Sequence, residues 1–396
     1  MSNPAPNLTT AATGKTGAVL PFTMSSWDHE EPFYDNSISL TTSAQNVGPV
    51  AVAAFGWMKG IWLRVTATGG SSSGTIVVSP SSGSADTPWS VLSNFFETNP
   101  NGQPYFGPFG GYDMALIRRF GGYWGPYDNP VGGAFSGVQT ASGAGAGNFD
   151  FYLYVPNQLV DRNGLGSLAN ENAKATYQLQ WSQAASSTLY STAPGTLPTI
   201  RYRAYLEAWA APPPQDILGN MTTQVPPGNG TIQFWTSNGA NPTALGSYNV
   251  IFTRKGQYIR NWIFVVRNSL GTRDSTCLTD PIQLRKDGYI LTQLTQSRWE
   301  EKMVDWYGLG QTGLTNDTRP STSGSLWNGV YAWPFTADLT PLPGAELRQR
   351  YFPTLQATRL ELVDTFQAGG GSTAPTVEIL TNDVAVPGSI FSMAQL

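Results

Sequence analysis

A short strand-like phrase occurs twice in this chain, in the same order relative to a second repeated phrase. GIWLRVTAT runs from Gly60 to Thr68, and NWIFVVRNS, from Asn261 to Ser269, follows two hundred residues later. Trp62 then stands opposite Trp262, Leu63 opposite Ile263 and Val65 opposite Val265. FYLYVP at 151–156 is echoed by VYAWP at 330–334. Each phrase is short, rich in β-branched or aromatic residues and closed by a turn former, which is the pattern of a strand. The repeated order predicts one all-β unit used twice.

Composition supports that reading. The chain has 396 residues, of which 12% are charged, 40% hydrophobic and 12% aromatic, so it carries enough apolar mass for two cores and too much for a disordered chain. Forty-three glycines and 29 prolines suit many short strands joined by tight turns. A sparsely charged, tryptophan-rich surface is expected to be covered by other copies of the chain. The net charge of −4, without a basic stripe, argues against direct nucleic-acid binding. No apolar run approaches a membrane span, and the N-terminal sequence lacks the apolar core of a signal peptide. The lone Cys277 excludes an intrachain disulfide framework.

The layout reads as four parts. Residues 1–35 form an N-terminal arm, expected to be ordered only by neighbours. A first strand-rich unit covers 36–214, with strands expected at 37–41, 61–68, 75–79, 89–96, 149–155, 176–181 and 200–209. The prolines at 212–214 and 226–227 bracket a linker. A second unit covers 215–380, with strands at 231–236, 249–253, 262–267, 329–333, 358–363 and 376–380, and 381–396 is a C-terminal segment. One helix is expected over 287–307, with Asp287 as N-cap and Gly308 as its stop. The stretch 99–147 reads as a long Gly/Pro/aromatic loop with a short helical piece at 112–120. Loops of that length usually carry function or contacts.

Catalytic chemistry finds few handles. His29 is the sole histidine, and its chain neighbour Asp28 is badly placed to orient it for a nucleophilic triad. One histidine and one cysteine cannot build a zinc site from the usual nitrogen and sulfur ligands. Gly14-Lys15-Thr16 imitates the end of a phosphate loop, but Thr9 stands where its first glycine belongs. Glu300 and Glu301 are helix neighbours pointing apart, not a pair across a glycoside. Cys277 reads as a small buried hydrophobe. No cofactor, metal site or enzyme activity is therefore expected. The aromatics Tyr105, Phe106, Phe109, Tyr123, Trp124 and Tyr127 crowd the long loop. Sugar stacking is one use for them, and subunit contact is the commoner one, which makes them the candidate contact residues.

At this point the chain resembles a family. Residues 60–67, the FYLYVP strand with LGSLAN at 165–170 and the strand from Thr176, YIRNWIFVVRNSLG at 258–271 and Gly329-Val330-Tyr331 are similar to strands of the double jelly-roll major capsid proteins of tectivirus-type bacteriophages, relatives in fold of the adenovirus hexon. The resemblance implies an all-β fold of two tandem jelly rolls, each a closed pair of sheets, with a few short helices. It implies homotrimers that serve as pseudo-hexagonal capsomers of an icosahedral shell, contacts with neighbouring capsomers, penton and minor capsid proteins, and a place in the virion after synthesis in the host cytoplasm. It also implies an arm facing inward, toward an internal membrane where the shell holds one. The alternative reading is a β-sandwich receptor- or carbohydrate-binding protein.

Overall fold

The computed structural model describes residues 19–79, 86–123, 135–159, 163–242, 244–310, 316–322, 324–336 and 348–385. Sixteen main strands fall into two sets of eight. The first set is β1 (Asp28–Ser39), β2 (Gln45–Ala51), β3 (Trp57–Thr68), β4 (Leu92–Thr98), β5 (Pro104–Phe109), β6 (Phe149–Pro156), β7 (Gln178–Gln183) and β8 (Thr199–Trp209). The second is β9 (Ile232–Ala240), β10 (Gly246–Ile251), β11 (Tyr258–Arg267), β12 (Ile282–Lys286), β13 (Tyr289–Leu294), β14 (Val330–Pro334), β15 (Leu360–Phe366) and β16 (Thr376–Ala385).

Pairing follows one rule in both sets. The first, eighth, third and sixth strands form one sheet, as β1-β8-β3-β6 and β9-β16-β11-β14. The second, seventh, fourth and fifth form the other, as β2-β7-β4-β5 and β10-β15-β12-β13. Each set is thus an eight-stranded roll, and the repeated phrases lie on equivalent neighbours, β3 beside β6 and β11 beside β14. The chain has the all-β, twin-roll architecture expected from the sequence.

Register corrects the residue-by-residue match: Trp62 corresponds to Ile263, not to Trp262. Gly60 pairs with Pro156, but Asn261, not residue 260, pairs with Pro334. That one-residue slip moves side chains to the opposite face. Ile61, Leu63, Val65 and Ala67 are buried in the first roll, and Trp62 is only half-buried between them. Trp262 is fully buried, edge-on to Phe252 and Phe335.

Two helices occupy the same place in the two rolls, between the fifth and sixth strands: α1 (Gly111–Phe120) and α2 (Gln296–Tyr307). In α1 the Asp113 carboxylate accepts the Gly110 N–H at 2.8 Å, and nearly every side chain is buried, as befits a helix enclosed on all sides. In α2 the Thr295 hydroxyl accepts the Arg298 N–H, and Gly308 ends the helix in a left-handed conformation with φ 61°.

Several expectations are corrected. Asp287 does not cap a helix. Asp287-Gly288 is the two-residue turn between β12 and β13, both residues at positive φ, and Leu291 and Leu294 belong to β13. Asp-Gly is a preferred sequence for such a hairpin. The supposed loop at 99–147 contains β5 and α1 and contributes to the core. The arm is shorter than 35 residues, because β1 begins at Asp28 and a one-turn helix, Phe22–Ser25, buries Phe22 edge-on to Trp57 and Trp209. Leu20 exchanges backbone hydrogen bonds with Met221 and Thr223, so residues 20–30 are held by the chain itself. β16 crosses the boundary expected at 380. Nor are the rolls separate sheet pairs. Phe106 of β5 bridges Trp235 of β9 in parallel, joining one sheet from each roll into a nine-stranded sheet.

Candidate functional site: the seam between the rolls and an open cleft

The seam is built on α1. Its Tyr112 hydroxyl donates to the Leu326 carbonyl at 2.7 Å. Arg119 meets Asp317 at 3.2 Å, both side chains being almost wholly buried, and also donates to the Tyr307 carbonyl. Burial lowers the Arg119 pKa, and the Asp317 charge partly restores it. At the helix C-terminus the Asn261 amide donates to the Phe120 carbonyl and the Arg260 guanidinium to the Gly121 carbonyl, each at 2.7 Å. Carbonyls left without intrahelical partners are thereby satisfied, and a cation sits where the helix dipole favours one. Beyond them the Tyr123 hydroxyl donates to Gln233 at 2.9 Å.

A second cluster closes the far side of the seam. Asp86 of the first roll bridges Arg267 at 2.6 Å and Arg273 at 2.8 Å of the second. The Arg273 guanidinium lies 4.2 Å from the Tyr112 ring centroid. Asp113 is buried nearby, and desolvation, with the Glu378 charge next in weight, holds its pKa well above the carboxylate range.

A cleft of about 280 Å³ opens on the first roll beside the end of α1. Lys59 lies at its base, 2.8 Å from both Asp28 and Glu207 and 4.5 Å from the Trp209 ring centroid. The Trp62 indole and the Tyr154 hydroxyl each donate to Glu207 at 3.2 Å. Gly60 makes this possible, because a Cβ there would lie 2.3 Å from the Tyr154 hydroxyl oxygen.

The candidate contact residues divide unevenly. Tyr105, Phe106 and Phe109 are 5%, 1% and 2% exposed, packed within the chain's own core, so they offer no surface to a neighbouring subunit. Sequence spacing put them in a loop, whereas they form β5. Tyr123 is half-buried and works in the seam, and Trp124 and Tyr127 lie outside the described residues. The phosphate-loop imitation at 14–16 also lies outside them.

His29 stacks on Phe55 with centroids 3.9 Å apart. Glu300 is buried and accepts from the Ser321 backbone and hydroxyl, while Glu301 is exposed and pairs with Arg298, so the two carboxylates do point apart. Cys277 is buried, and burial pushes its thiol up to about 12. Among the described residues no group of three or more potential metal ligands converges, and no helix is long and apolar enough to cross a membrane. Lys59, Glu207 and the α1 terminus were missed from the sequence. Their partners lie far apart along the chain, so no local pattern marks them.

Known structures share this fold. The crystal structure of the STIV major capsid protein superposes with a TM-score of 0.58 at 11% identity, over 91% of this chain and 97% of that one. A chain of the PBCV-1 virus capsid, in a quasi-atomic model, gives 0.53 at 10%, over 92% and 95%. The fold is the double jelly roll. A chain from the atomic structure of Sulfolobus Turreted Icosahedral Virus matches this double jelly roll likewise, with TM-score 0.57 at 11% identity over 93% of both chains. No protein-family model matches the sequence, and no curated protein does.

Proposed function

We propose that this chain is a major capsid protein whose homotrimers form pseudo-hexagonal capsomers of an icosahedral shell. The reading is carried by one observation: two rolls of identical strand order are joined rigidly in a single chain, over nearly the full length of capsid proteins with the same fold. Three such chains make a six-lobed block, a shape that tiles a flat facet, and cyclic closure limits growth of the block itself. Each roll is one eight-stranded unit in this reading, and the chain passes from the first to the second near residues 211–230. The finer form of the proposal is a tectivirus-like bacteriophage shell enclosing a membrane, with the first residues turned inward and pentons and minor proteins at the vertices.

The seam supports a structural role. Its buried ion pairs and capped helix tie the two rolls together, as a tiling block needs. Sedimentation of the purified protein should give three times the chain mass of 42.6 kDa, and electron microscopy should show six-lobed particles. A protein that stays a single chain at all concentrations, and whose tryptophan fluorescence responds to glycans, would instead favour the carbohydrate-binding alternative, with Trp62 in the cleft as the natural platform.

A further inference from the structure

Lys59 brings an amine and a carboxylate into contact largely out of water, among aromatic rings. Its side chain is only 10% exposed. A bulge puts it there: in the pairing of β3 with β8, Met58 faces Ala208, Gly60 faces Glu207, and Lys59 is skipped. An extra residue of this kind re-aims a side chain. The Lys59 carbonyl accepts the Asn157 and Gln158 N–H groups at 3.0 and 2.7 Å, which pins the backbone at that step. The Trp209 ring lies 4.5 Å from the ammonium, and its own indole N–H is held by Gln158 at 2.6 Å.

The two carboxylates on Lys59 are not equivalent. Glu207 places Oε1 2.8 Å from Nζ, while its Oε2 accepts from the Trp62 indole and the Tyr154 hydroxyl, each at 3.2 Å. Asp28 places Oδ1 2.8 Å from the same Nζ, on the exposed side. Glu207 thus has an amine against one oxygen and two fixed donors on the other. An acyl acceptor needs the same parts: a nucleophile already in contact, and donors where negative charge develops. Asp28 stands where a base for the amine is required.

We propose that Lys59 and Glu207 condense to an isopeptide bond, a covalent staple between β3 and β8. Asp28 takes a proton from Nζ, and the amine attacks Cδ of Glu207. Oε2 carries the negative charge, held by Trp62 and Tyr154. The C–N bond forms, the C–Oε1 bond breaks, and Oε1 departs as water with the two protons shed by nitrogen, relayed through Asp28. One ammonium and one carboxylate become one amide and one water, with no oxidant or reductant. The inference is independent of the capsomer reading.

The surroundings favour the bond. A desolvated ion pair is costly, and condensation replaces it with a neutral amide. The water formed leaves through the cleft that Lys59 lines. The single cysteine allows no internal disulfide, so an amide is the staple open to this chain. Glu207 lies near the end of β8, where the chain leaves the first roll, and a bond there keeps the strand from being peeled away. In the second roll the skipped residue is Arg260, which donates to Asn382. A guanidinium does not lose its proton in a protein, so the reaction is confined to the first roll.

Tryptic digestion of the full-length wild-type protein with tandem mass spectrometry tests the assignment. Trypsin does not cut after an acylated lysine, so residues 16–64 should appear joined to 204–254, lighter than their sum by one water. Cleavage after Lys59 with both peptides at full mass would overturn the proposal and leave plain ion pairs. A ring closed within 16–64 would put the bond on Asp28 and overturn the choice of Glu207. The Asp28→Asn protein, sampled at intervals after synthesis, should join about a hundred-fold more slowly. Tyr154→Phe, which removes one donor from Oε2, should slow joining by a similar factor. A wild-type rate in both variants would overturn the mechanism. Should either fail to fold, the wild-type digest decides.

Discussion

The main chains of Phe106 and Trp235 run side by side in parallel, and this one bridge merges a sheet of the first roll with a sheet of the second. Both side chains are buried, at 1% and 0% exposure, so the junction is core and not a hinge. The rolls should therefore unfold together unless the seam is weakened on purpose.

Arg119 is the place to weaken it. Replacing Arg119 with Met strands Asp317 in a buried site, where loss of one partner typically costs about 3–5 kcal/mol. The R119M protein should show a lower denaturant midpoint and a broadened or two-step transition. The R119M/D317N double variant should recover a good part of the loss, because the buried charge goes with its partner. Equal midpoints for single and double variants would mean that the pair does not couple the rolls.

Glu97 should give the fold a marked pH dependence. It lies on β4, fully buried, and desolvation pushes its pKa up to about 8, the Tyr105 hydroxyl and Asn157 side chain offsetting this only in part. Neither partner closes a well-formed hydrogen bond with it. A carboxyl raised in the folded state contributes stability that is complete below its unfolded pKa near 4.5 and is lost as pH rises through about 8. Asp364, raised to about 7 by burial, acts in the same direction. Denaturation midpoints should fall between pH 5 and pH 9, and Glu97→Gln should flatten that fall by at least about 1 kcal/mol. A variant with the wild-type slope would remove Glu97 from the account.

Gly60 should tolerate no side chain. A Cβ there collides with the Tyr154 ring, so Gly60→Val must displace Tyr154 from Glu207. Overpacking of this kind costs about 1–3 kcal/mol, readable as a lower melting temperature. An unchanged melting temperature would show that the ring moves freely.

Ile290 offers the opposite test. On the exposed edge strand β13, Ile290→Lys should change chain stability by no more than about 0.5 kcal/mol. Self-association should nevertheless weaken, since a charge on a strand edge opposes pairing with another chain. Sedimentation and thermal melting of one sample separate the two effects, and loss of stability without loss of association would count against β13 as a contact.

The sequence made most strands legible, because alternation such as Ile61, Leu63, Val65 and Ala67 is a local signal. β2 and β5 are hidden in the sequence because glycine and proline interrupt them, as in QNVGPVA and PYFGPF, and these residues read as turn formers. In β13 the three-residue spacing of Leu291 and Leu294 imitates a helix, while the Asp287-Gly288 turn just before them carries the better information. The candidate site was hidden for a different reason. A bulge such as that at Lys59 is defined by which residue a partner strand skips, and no single strand contains that fact.

The one-residue slip that separates Trp62 from Trp262 also divides the labour of the two halves. Identical letters in matching strands answer to different constraints. A change at Trp262 is felt by the hydrophobic interior, and a change at Trp62 is felt where the molecule meets what surrounds it. A chain that began as two copies of one unit could, through such a shift of phase, keep both interiors while letting one outer face drift toward whatever it must touch.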